Sequence, residues 1–119
     1  MILSRLKKSW EFKKVYRNGR TVVSKNIVLY YCRNGLPYNR IGFSIRKKVG
    51  KSVIRNRIRR IYREAFLHME DKLQTGYDFI VIARKPSAAV SFHDACKELH
   101  NLCRKAQLLL KGQEKQRTI

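Results

Sequence analysis

The chain is short of negative charge, and it is short of it in one region above all. Its eight carboxylates are Glu11, Glu64, Glu70, Asp71, Asp78, Asp94, Glu98 and Glu114, so no acid lies between residues 12 and 63. That interval carries sixteen Lys or Arg, and the 119-residue chain has a formal charge of +20. Self-repulsion of this size works against an isolated compact state and favours a polyanionic partner. Acids this scattered also exclude a carboxylate cluster able to hold two metal ions. His68, His93 and His100 have no evident partner for acid–base chemistry. Nothing reads as a catalytic or metal site built by the protein alone.

Other shortages narrow the class further. No apolar run approaches the roughly 20 residues of a membrane span, and the N-terminus lacks the apolar core of a secretory signal, so a cytoplasmic location is expected. Cys32, Cys96 and Cys103 form an odd set without CxxC spacing, which suits a reducing compartment. Cys96, His100 and Cys103 have the helical spacing of three metal ligands. The two cysteines also share a stripe with Phe92, Leu99, Ala106 and Leu110, and no second cluster would close a tetrahedral site. Both thiols are therefore expected in the core, with His100 at its flank. At this length the chain is one domain with a modest core.

What is present in abundance is arginine. Residues 46–63 read RKKVGKSVIRNRIRRIYR, with nine cations and no carboxylate. Gly50 interrupts the segment and Ser52 is the expected N-cap of a helix. Ile54, Ile58, Ile61 and Ala65, with Tyr62, Phe66 and Met69 beside them, recur at helical spacing and define a face to be buried. Asn56, Arg57, Arg60 and Arg63 point away from that stripe, and Arg55 and Arg59 flank it. A solvated helix face usually mixes signs at i, i+4. This one is single-signed, and its guanidinium groups match phosphate bidentately, so it is expected to lie along RNA or DNA. The basic face lacks the Trp and Leu with which a helix would enter a membrane surface.

The remainder of the chain reads as an alternation of helices and strands. Residues 4–18 predict a short helix ended by Asn18-Gly19, a pair that tolerates positive φ. Phe12 and Tyr16 form an i, i+4 aromatic pair on it. Residues 21–33 and 40–46 predict strands, separated by the turn cluster Asn34-Gly35-Leu36-Pro37. Alternation places Val28, Tyr30 and Cys32 on one face and Ile27, Leu29 and Tyr31 on the other. Ile41, Phe43 and Ile45 likewise alternate with Gly42, Ser44 and Arg46. One sheet face is thus apolar enough for a helical layer, and the other suits a wet groove. After a break at Gln74-Thr75-Gly76, residues 77–83 form an apolar run expected of a central strand. Ser91 and Asp94 resemble a capping box opening a last helix to about Leu110, within a domain of residues 1–110. Residues 111–119 are expected to be a disordered basic tail. The order α-β-β-β-α-β-α gives an α+β fold, an α/β sandwich with a sheet of about four strands.

The Arg55-Asn56-Arg57 triplet within KKVGKSVIRNRIRRIYREAF resembles the signature of the protein subunit of bacterial ribonuclease P. RLKKSWEFKKVYRNG, IVLYYC, RIGFSI and YDFIVIARKP resemble the same family in order and spacing, so the likeness covers roughly residues 5–107. The resemblance implies a left-handed strand–helix–strand crossover where a right-handed one is usual. It implies that Arg55, Asn56, Arg57, Arg59, Arg60 and Arg63 sit against a catalytic RNA. It further implies that Phe12, Tyr16, Val28, Tyr30, Ser44, Arg46, Lys47 and Lys48 border a cleft for the single-stranded 5′ leader of precursor tRNA. Phosphodiester hydrolysis would then use Mg²⁺ held mainly by the RNA, with the protein monomeric in the ribonucleoprotein. A ribosomal RNA-binding protein shares the charge and size but does not account for an aromatic cleft beside the arginine helix. A protein nuclease would need the missing carboxylates, and a helix-turn-helix DNA reader would not flank its helix with strands.

Overall fold

The computed structural model describes residues 4–111. Five strands and three helices alternate along them: β1 (Ser4–Arg5), α1 (Ser9–Asn18), β2 (Arg20–Val23), β3 (Ile27–Arg33), β4 (Arg40–Ser44), α2 (Ser52–His68), β5 (Tyr77–Ala83) and α3 (Phe92–Lys105). The sheet order is β1-β4-β5-β3-β2. β5 is central, antiparallel to β3 and parallel to β4, and α2 forms the crossover between β4 and β5. The α+β class is as expected, with five strands rather than about four.

One sheet face carries the main core. Ile41, Phe79, Val81, Leu29 and Ile27 are buried there beneath Ile58, Tyr62, Ala65 and Phe66 of α2 and Ala95, Leu99, Leu102 and Cys103 of α3. The helical layer is locked to the sheet by Glu98. Its carboxylate accepts from Tyr62 Oη at 2.5 Å, Ser24 Oγ at 2.5 Å and the Asn26 amide at 3.1 Å. Burial, and then the Glu98 bond, push the Tyr62 phenol upward, so it stays a donor at any working pH. α1 covers the other face through a smaller cluster of Leu6, Val15 and Ile80, with Phe12, Tyr30 and Ile82 against it.

Six local expectations are corrected. The first helix begins at Ser9, because Ser4 and Arg5 pair in parallel with Arg40 and Ile41, a partner no local pattern reveals. Gly19 closes it at φ −84°, so positive φ is not the reason for glycine there. A Cβ at Gly19 would lie 2.5 Å from the Val15 carbonyl oxygen and 2.9 Å from that of Tyr31. Ser52 is the first residue of α2 rather than its cap, a position held by Lys51 without a side-chain bond. Strand β4 stops at Ser44, two residues before the expected end. Finally α3 ends at Lys105, and Gln107 turns the chain with φ 60°. Leu109 then bridges to Leu73, and the Gln74 amide donates to Leu108 at 2.8 Å. Burying Leu108 and Leu109 under the helices outweighs continuing the helix. Phe92 and Leu110, expected on the buried stripe of α3, are both more than two-fifths exposed. The expected Ser91 cap is present, accepting from the Asp94 amide at 3.1 Å. The expected disordered tail lies outside the described residues, apart from Lys111.

Candidate nucleic-acid interface

Strand register sets out the α1 side of the sheet in rows. Arg40–Asp78–Cys32 form one, Gly42–Ile80–Tyr30–Thr21 the next, and Ser44–Ile82–Val28–Val23 the third. The residues of a row are directly opposed, so their side chains share a face. α1 engages the first two rows. The third is left half-buried at Ser44, Ile82 and Val28, and 53 % exposed at Val23.

An ion cluster fixes α1 on the first row. Arg40 donates through Nε and Nη2 to the two oxygens of Asp78 at 2.8 and 2.7 Å, and through Nη1 to Glu11 at 2.7 Å. The second Glu11 oxygen accepts the amides of Lys7 and Lys8, each at 2.8 Å, at the start of α1. One carboxylate therefore caps the helix and pins it to β4 and β5. The Lys8 and Lys7 amides, and after them Arg40, hold the Glu11 carboxyl below its ordinary value of 4.5. A depressed carboxyl contributes stability above its unfolded pKa and loses it as pH falls through the folded one. Melting midpoints of the native chain should therefore fall as pH drops below about 4.5. The variant Glu11→Gln should start lower and show a flatter decline. Parallel declines would remove Glu11 from the acid response.

On the second row, Phe12 presses on Gly42. A Cβ at Gly42 would lie 2.5 Å from the Phe12 ring, so only glycine allows this contact. Tyr16 meets Tyr30 edge-to-face with ring centroids 5.0 Å apart, and Tyr16 is 39 % exposed. Phe12 is thus chiefly a packed wall, while Tyr16 and Tyr30 border the open third row. The chain leaves that row beyond Ser44 into Arg46, Lys47 and Lys48, all exposed, with the latter two in a short 3₁₀ turn. The sequence reading missed Ile82 in the floor. It sits in a continuous apolar run whose faces are distinguishable only once β5 is placed between β3 and β4.

The arginine helix divides its side chains more finely than its periodicity suggests. Arg60 and Asn56 are exposed, and Asn56 Oδ1 accepts from Arg59 Nη1 at 2.9 Å, which orients that guanidinium. Arg55 Nε donates to the Gly50 carbonyl at 3.1 Å. Arg57, expected to point free of the fold, instead donates to the carbonyls of Val90 at 2.8 Å and Ala88 at 3.3 Å. It staples α2 to the segment before α3. Arg63 is half-buried, and its Nε has no hydrogen-bond partner among the described residues. Asn56, Arg59, Arg60 and Arg63 line one side of a cavity of about 400 Å³ whose other side includes Arg5, Phe12, Gly42 and Phe43. The tertiary structure therefore brings the arginine face and the α1 aromatic wall to one depression over the outer edge of β4. Among the described residues no group of three or more His, Cys, Asp or Glu could hold a metal ion, and no helix is long and apolar enough to cross a membrane.

Comparisons with known proteins agree with this geometry. The family model described as Ribonuclease P matches residues 3–107. The ribonuclease P protein component of Caldanaerobacter subterraneus is 45 % identical over 106 residues, spanning 89 % of this chain and 91 % of that protein. The component from Clostridioides difficile is 40 % identical over 104 residues, 87 % of this chain and 91 % of the relative. Among solved structures, the RNase P protein of Staphylococcus aureus superposes with a TM-score of 0.82 at 31 % identity, covering 92 % of this chain and all of that one. The protein from Thermotoga maritima gives 0.76 at 29 % identity, over 83 % and 94 % of the two chains.

Proposed function

Because the chain belongs to the ribonuclease P protein family, we propose that it divides its RNA contacts between two adjoining surfaces. As a protein component of ribonuclease P it serves tRNA 5′ maturation, associating with the ribonuclease P RNA and substrate tRNA. The first surface is the α2 face of Arg55, Asn56, Arg57, Arg59, Arg60 and Arg63, which grips the catalytic RNA. The second is the cleft of Tyr16, Tyr30, Val28, Ser44 and Ile82, walled by Phe12 and ending at Arg46, Lys47 and Lys48, which receives the 5′ leader. The observation that carries this reading is the shared depression between Phe12 and the arginines of α2. Substrate held in the cleft lies beside the RNA that cuts it.

Leader recognition of this kind is tolerant of sequence. Exposed aromatic rings stack on any base, and the cations follow phosphate rather than base edges. On this reading Mg²⁺ is held mainly by the RNA, which performs the hydrolysis in the cytoplasm. The protein contributes substrate positioning, which converts loosely tethered ends into a held geometry.

Tyr30→Ala tests the cleft. In the reconstituted holoenzyme it should weaken binding of leader-bearing tRNA by about 1–3 kcal/mol, the worth of one stacked base. Leaderless tRNA and holoenzyme assembly should be unaffected. Equal losses for both tRNAs, with a lowered melting midpoint, would make Tyr30 a core residue and remove the leader cleft.

A further inference from the structure

The outward face of α1 carries a feature that neither surface uses. Trp10, the only tryptophan of the chain, is 60 % exposed. Around it on the same helix stand Lys13, Lys14 and Arg17, all exposed. The single acid of α1, Glu11, is turned under the helix and bonded to Arg40. An isolated exposed Trp would need no explanation. A Trp ringed by cations, with no acid on its face, presents both parts of a single-stranded RNA contact: a stacking platform and phosphate partners.

Helical geometry says which RNA. At about 100° per residue, the order around α1 runs Val15, Phe12, Tyr16, Ser9, Lys13, Arg17, Trp10, Lys14. Val15 is buried on the sheet, Phe12 forms the cleft wall and Tyr16 the cleft rim. Exposed Ser9, Lys13 and Arg17 follow Tyr16, and Trp10 lies beyond them. The cleft surface thus continues without interruption over the rim and onto the outer face of α1. The opposite flank of the cleft leads instead to Arg46, Lys47 and Lys48.

We propose that the Trp10–Lys13–Lys14–Arg17 face of α1 is an extension of the leader site, which takes single-stranded nucleotides of the leader lying beyond those in the cleft. This rests on the leader reading of the cleft and deepens it. Trp10 stacks on an unpaired base as the strand passes over the Tyr16 rim, and Lys13 and Arg17 hold its phosphates. Discrimination by leader length follows: long leaders gain a contact that short ones cannot reach.

Because Trp10 is the sole tryptophan, its fluorescence reports on this face alone. The holoenzyme is assembled first and then titrated with tRNA bearing a leader that ends within the cleft, or one extended by several unpaired nucleotides. Trp10 emission should be quenched by the long leader and not by the short one. Trp10→Ala should weaken long-leader binding by about fivefold to a hundredfold, as expected for one stacked base. Trp10→Phe should recover most of it, and short-leader affinity should not change. The exposed position predicts unaltered melting in both variants. If short-leader tRNA binds better than leaderless tRNA while Trp10→Ala ignores leader length, the inference fails and the cleft survives. If neither leader improves binding, both fail. Quenching already complete on adding the catalytic RNA would assign the face to that RNA and overturn the proposal.

Discussion

Replacing Arg40 with Ala should lower the melting midpoint by more than about 10 °C and take leader discrimination with it. Arg40 is the hub on which two carboxylates converge, and Asp78 is almost wholly buried. Removing one partner from a buried ionic cluster leaves the others charged and uncompensated, which typically costs about 3–5 kcal/mol. The loss is also positional. Glu11 caps the start of α1 with one oxygen and ties it to β4 with the other, so without Arg40 α1 would shift with Phe12 and Tyr16 on it. Arg40→Lys separates charge from geometry. It keeps the cation but cannot form the paired donors to Asp78, and should fall between the native chain and the Ala variant. A midpoint for Arg40→Ala within a few degrees of the native value would show that α1 is held by its apolar contacts alone.

The second large effect concerns association with the ribonuclease P RNA. The double variant Arg59→Ala, Arg60→Ala should lose two charge-assisted contacts at about 1.5 kcal/mol or more each, a weakening on the order of a hundredfold. The logarithmic salt dependence of binding should flatten by roughly two counterions. Folding should be unaffected, since Arg60 is exposed and, among the described residues, Arg59 bonds only to Asn56 on its own helix. Arg57→Ala makes a less clean test. It also removes the bonds to Ala88 and Val90, so lost stability and lost RNA binding would appear together. If the double variant keeps the native salt slope, the face is a solvated basic surface and the RNA is gripped elsewhere.

These two experiments act on features with very different visibility in the sequence. The arginine face was legible because it is local: helical spacing separates Ile58, Tyr62 and Ala65 from Asn56 and Arg60, and a single-signed face needs no partner to be recognised. The face assignment of Val28, Tyr30 and Cys32 was legible for the same reason, since strand alternation is a property of the backbone. The hub of Arg40, Glu11 and Asp78 was not. Its members come from β4, α1 and β5, each polar residue is ordinary in its own segment, and only the sheet register sets them together.

By itself, then, the sequence determined the class of partner, the element order after β1 and which side chains of each element share a face. All of these follow from charge, propensity and periodicity acting over a few residues. Only the tertiary structure decided what lies across from those faces. Parallel pairing of Ser4 and Arg5 with β4 replaced the start of a helix with a strand, and burial of Leu108 and Leu109 ended α3 early. The close approach of Phe12 to Gly42 turned an aromatic pair into one wall and one rim. Such outcomes depend on contacts between residues far apart in the chain, whose free energy no local pattern carries.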